Sequence, residues 1–140
     1  MKKTCHRTIR RPSVPMLINR GLIGDDIETK ERMLVEAFAY GWAGPEHFDG
    51  LVDMRNALTI AAAHKDDGSI LALCDAMRIP MGNIRQRHAE TGRMGVSAGE
   101  LQLMREFVGA YRDFWMRQNV DFYHATIAAL QVATTQGANP

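Results

Sequence analysis

LCDAMRIPMGNIRQRH, residues 73–88, decides the fold of this 140-residue chain, because its spacing and its punctuation point in different directions. Ile70, Cys74, Met77, Met81, Ile84 and His88 fall 4, 3, 4, 3 and 4 residues apart, an unbroken heptad seam. That phasing predicts one long helix from about Asp67, kinked at Pro80, since proline lacks the amide that a helix interior needs. Gly92 after Thr91 is placed for the left-handed residue that ends a helix.

Working outward from this seam, four further stretches read as helices, and none alternates apolar and polar residues for long enough to be a strand. Towards the N-terminus, one helix begins at Asp25-Asp26, whose carboxylates suit free amides, and carries Ile27, Leu34, Phe38 and Gly41 on one stripe beside Val35 and Trp42. It stops between Gly41 and Gly44. The next opens at Gly44-Pro45 and buries Phe48, Leu51, Val52, Leu58, Ala62 and the stem of Arg55, with Asn56 at the edge of that face.

Towards the C-terminus, Ser97-Ala98-Gly99-Glu100 has the form of a capping box. Leu101, Met104, Val108, Tyr111, Trp115 and Gln118 follow at alternating three and four, with Phe107 and Phe114 broadening the stripe. Asn119 breaks the chain, and a last helix runs from Val120 with Tyr123, Ile127 and Leu130 inward. Short connections between amphipathic helices predict an all-α, single-domain antiparallel bundle of four to five helices over residues 25–136. Trp42, Trp115, Phe38, Phe48, Phe107, Phe114 and Tyr111 are expected to supply its aromatic core. A basic, flexible arm at 1–24 and a short tail at 137–140 flank it.

The net charge of +1 hides an asymmetry. Lys2, Lys3, Arg7, Arg10, Arg11 and Arg20 stand in the first 20 residues without an acid, whereas the other 120 hold 11 basic and 16 acidic side chains, a +6 arm on a −5 body. Such an arm suits phosphates, an acidic protein face, its own acidic body, or solvent alone. A second basic cluster, Arg78, Arg85, Arg87 and Arg93, is opposed locally only by Glu90. Phosphates, an acidic partner, and carboxylates elsewhere in the bundle all remain open as its counterpart.

Signatures of chemistry are missing. The five histidines form no His-x-x-x-His or His-Glu-x-x-His, the two cysteines form no pair, and no Glu-x-x-His recurs as a di-metal bundle requires. No phosphate-cradling glycine loop is present, and Ser69 and Ser97 are accounted for as helix starts. The reading is therefore a non-enzymatic protein without cofactor or metal. An active site assembled from Asp, His and Tyr only in three dimensions leaves no mark on spacing. No apolar run approaches a membrane span or a signal peptide, which together with the cysteine usage predicts a cytoplasmic protein.

Residues 73–88 also resemble a Fis-type helix-turn-helix, with Cys74, Met77, Ile79 and Ile84 at its small and apolar positions. The resemblance covers about 20 residues and implies a DNA-binding regulator in which Met81, Gly82, Asn83, Arg85 and Gln86 face the major groove. A wider likeness starts from RHAETGRMGVS, residues 87–97, followed by a helix with Tyr111 and Asp113 and a short terminal helix. With the basic leader and the amphipathic second helix, it is similar from residue 7 to about 130 to uncharacterised small helical proteins of proteobacterial prophages and integrative elements, sometimes labelled Fis-like regulators. That resemblance implies a mobile-element setting and no catalytic residue.

Two functions follow as expectations. One is a helical interaction protein that modulates a partner protein, in a regulatory or anti-defence role. The other is a DNA-binding regulator using residues 70–91. Arg7, Arg10, Arg11, Arg78, Asn83, Arg85, Gln86, Arg87 and Arg93 are the candidate contacts to either partner, and a homodimer is compatible with both.

Overall fold

The computed structural model describes residues 22–138, among which there is no β-sheet. The chain is an all-α, single-domain bundle built from α1 (Leu22–Ala39), α2 (Pro45–His64), α3 (Gly68–Ala76), α4 (Arg78–Thr91), α5 (Ala98–Met116) and α6 (Val120–Ala138). Because α3 and α4 run end to end through one residue, the six segments amount to five helices, the third of them jointed. α1 packs chiefly on α5, and α2 on α3 and α6.

The joint is at Met77, three residues before Pro80. Met77 itself is helical (φ −68°, ψ −16°), its amide donating to the Leu73 carbonyl at 3.1 Å and its carbonyl accepting from Met81 at 3.1 Å. Pro80 thus lies in the first turn of α4, where an amide has no intrahelical acceptor to lose, and the strain of its ring against the carbonyl four residues back falls on the joint. The heptad seam survives the joint. Cys74, Met77, Met81 and Ile84 are all buried.

Helix ends follow from local chemistry. Asp67 caps α3, its carboxylate accepting from the Ile70 amide at 3.2 Å and the Ser69 hydroxyl at 2.9 Å. Ser97 and Glu100 form the capping box of α5, and Asn119 accepts from the Phe122 amide at 2.8 Å to start α6. Gly92 ends α4 with φ 76°, and an added Cβ would touch nothing within 4 Å. Gly92→Ala should therefore lose about 1 kcal/mol for backbone reasons alone, read as a lower urea midpoint at unchanged slope.

Two expectations about the first helix are corrected. Asp25-Asp26 does not start it: α1 already begins at Leu22, and Asp26 instead pairs with Lys30 one turn on at 3.2 Å. Trp42 is not core. Gly41 turns the chain with φ 79° and the Trp42 amide closes back on the Ala37 carbonyl, which leaves the indole 52% exposed and edge-on to His47. The other expected aromatics are buried, centred on Phe107, Phe114 and Trp115. At the far end α6 continues to Ala138, past the expected limit at 136.

Candidate functional site

The basic residues of α4 do not present one free face. The Arg87 guanidinium forks onto the Glu100 carboxylate, with Nη2 to Oε2 at 2.8 Å, and also donates to the Gly95 carbonyl at 2.9 Å. Asn83 donates to the same carboxylate at 3.1 Å, and Gln86 to Glu90 at 3.1 Å. Arg78 reaches Asp75 at 3.5 Å in solvent, and Arg85 lies over the Phe48 ring at 5.5 Å. The guanidinium of Arg93 is exposed. Arg7, Arg10 and Arg11 lie outside the described residues.

Glu100 is the hub of this cluster. It closes the capping box at the Ser97 amide while accepting from Arg87 and Asn83, and chiefly the Arg87 bond holds its carboxyl down to about 2. Asn83 and Arg87, expected as outward contacts, are thereby committed within the fold. The helix-turn-helix geometry is also not formed. No tight turn separates α3 from α4, and Ile79, which that motif would bury, is 73% exposed.

A different place gathers accessible apolar surface. α1, α2, α5 and α6 enclose a groove of about 670 Å³, open to solvent, with Met33, Met54, Tyr111, Tyr123, Ile127 and Ala57 among its walls. Met33 is 53% exposed. Tyr111 is buried at the floor, and burial pushes the phenols of Tyr111 and Tyr123 up, so both are neutral donors or acceptors at physiological pH. Lys30 at the rim is matched by Asp26. Asp53, on the opposite wall, has its carboxyl raised by partial burial first and by neighbouring Asp49 second. His47 closes one end, its Nδ1 accepting from the Gly44 amide at 2.9 Å with the Glu46 carboxylate beside it at 3.5 Å.

A second concavity of about 770 Å³ lies on the other side of α1. Its walls balance Glu28, Glu31 and Glu36 against Arg32, Arg105 and Arg112, with Arg112 on Glu31 at 3.0 Å. The Glu31 carboxyl is nevertheless raised, because burial outweighs Arg112. This concavity carries acids and bases in equal number, with Glu31 and Arg112 joined, and is the more polar of the two.

The sequence reading placed Tyr123, Ile127 and Leu130 inward without seeing that they face a groove. The signal available was their recurrence at 3 and 4 beside the methionines of α1 and α2, which periodicity cannot distinguish from core. Among the described residues no group of three His, Cys, Asp or Glu side chains is placed to hold a metal ion, and no helix is long and apolar enough to cross a membrane. Compared with family models, curated proteins and solved structures, the chain matches none.

Proposed function

We propose that this chain is a non-enzymatic helical binding module that takes an apolar segment of a partner protein into the groove between α1, α2, α5 and α6. The observation that carries the reading is the groove itself, with exposed Met33 on α1, half-buried Met54 on α2, and half-buried Tyr123 and Ile127 on α6. Thioether side chains fit irregular apolar surfaces with little strain, and aromatic hydroxyls give polar anchors at the edge of an apolar slot. An amphipathic or extended segment covers such a slot with residues at alternating or 3–4 spacing. The resemblance to small helical proteins of prophages and integrative elements supports a mobile-element setting, in which the partner is a host or element protein whose activity is modulated, as in regulation or anti-defence.

Selection of a displayed peptide library on the full chain tests this directly. Selected peptides should lose at least tenfold in affinity, about 1.4 kcal/mol, on Met33→Arg or Ile127→Arg, and should be indifferent to the Arg85→Ala, Arg93→Ala double change. Peptides that ignore both groove changes would reject the reading. Duplex-DNA binding by the full chain at physiological salt, lost on the arginine changes, would replace it with the nucleic-acid alternative.

A further inference from the structure

The charge around the groove names the chemistry of what enters it. Glu46, Asp49 and Asp53 stand three and four residues apart and so share one face of α2, with Glu46 and Asp53 lining the groove. No described basic side chain pairs with Asp49 or Asp53, Glu46 has His47 beside it at 3.5 Å, and the one lysine at the rim is already matched by Asp26. The groove is thus an apolar slot flanked on one side by an acidic stripe in which Asp49 and Asp53 have no described basic partner. Its complement is a segment that is apolar in the middle and basic at its ends.

One segment of that composition belongs to this chain. Residues 10–20 read Arg-Arg-Pro-Ser-Val-Pro-Met-Leu-Ile-Asn-Arg, with Val14, Met16, Leu17 and Ile18 between Arg10, Arg11 and Arg20, and with no acid anywhere in the first 20 residues. Pro12 and Pro15 favour extended backbone, and Asn19 to Gly21 is turn-prone sequence directly before Leu22. The distances allow it. Ile27 and Lys30, in the first turns of α1, line the groove, and the span from Ile27 to Leu34 is about 10 Å along the helix, which three or four extended residues cover.

We infer that residues 10–20 dock in cis into the groove between α1, α2, α5 and α6, with Val14 to Ile18 on its apolar walls and the flanking arginines against Glu46, Asp49 and Asp53. The leader is then a built-in competitor that a partner segment must displace. This rests on the groove reading above and adds to it the identity of the resting occupant.

Paramagnetic relaxation in the full chain tests it. Cys5→Ser with Ser13→Cys gives one labelling position, because Cys74 is buried. A nitroxide there should broaden the amide signals of Met33, Asp53, Met54 and Ile127 by at least twofold and leave those of Arg85 and Gln86 sharp. Reversing the stripe (Glu46→Lys, Asp49→Lys, Asp53→Lys) should abolish the effect, and adding Arg10→Glu, Arg11→Glu and Arg20→Glu should restore it. Groove signals that stay sharp, broadening centred on α4, or broadening indifferent to both reversals would each overturn the inference. The library selection reads the groove without reference to the leader: groove-dependent peptides together with an unbroadened groove reject cis docking alone, and their absence rejects the binding function.

Discussion

Trp115→Ala should remove a large share of the protein's stability, a loss of about 3–5 kcal/mol set against the 5–15 kcal/mol that domains of this kind possess. Trp115 is fully buried, and its ring meets four others, Tyr123 at 5.0 Å, Phe114 at 5.2 Å, Phe122 at 5.8 Å and Tyr111 at 6.2 Å between centroids. It therefore joins α5 to α6 from the inside, and a cavity there cannot be filled by one helix moving alone. The fall in Tm should be about 10–20 °C. Trp115→Phe discriminates packing from polarity: the indole N–H leans towards the Tyr111 hydroxyl without completing a hydrogen bond, so the phenyl ring should retain most of the stability. Tyr40→Ala, at a residue 77% exposed, is the matched control and should shift Tm little. Equal losses at 40 and 115 would contradict this account of the core.

Glu100→Gln is expected to cost about 2 kcal/mol, in the range of charge-assisted hydrogen bonds between partly buried groups. The carboxylate is 11% exposed and accepts from Arg87, Asn83 and the Ser97 amide, whereas Arg87 keeps 37% of its side chain in water, which moderates the loss. The pH dependence follows from the carboxyl's being held at about 2 in the fold against 4.5 ordinarily. A depressed carboxyl stabilises fully above its ordinary value and gives that stability up as pH falls through the folded one. Urea titrations of the native chain and Glu100→Gln should therefore differ by a constant amount above about pH 5 and converge between about pH 4.5 and 2. A gap that persists at pH 2 would show that the glutamate works by shape and not by charge. Glu31, raised by burial, acts in the opposite sense, its desolvation cost being relieved on acidification.

Features governed by near neighbours were legible before any coordinates. The Ser97–Glu100 box, the left-handed Gly92, the Asn119 restart and the seam from Cys74 to Ile84 depend on residues within a turn or two of one another, so spacing alone reveals them. Pro80 was read correctly as a disturbance, but the helix yields at Met77 because the ring's clash is with backbone four residues earlier. Trp42 misled because its stripe position is cancelled by the Gly41 turn. The basic cluster was visible as charge, yet nothing near Asn83 or Arg87 in the chain shows that a carboxylate 17 and 13 residues away takes both. The groove was the least legible feature, since its walls come from four helices spread over more than 100 residues and its apolar positions look like core from any single helix.

The fork from Arg87 to Glu100 has a kinetic meaning as well. It closes a loop of only 13 residues, between two helices whose ends are already punctuated by Gly92 and Ser97, so the entropy lost on closure is small. Contacts of such short separation close early at small entropic cost, as do those between the neighbouring α2 and α3. α1 on α5 and α6 on α2 close contacts of much longer separation and dock later. The groove is built between those late-docking walls, so its opening is a sub-global event that draws on only part of the protein's stability.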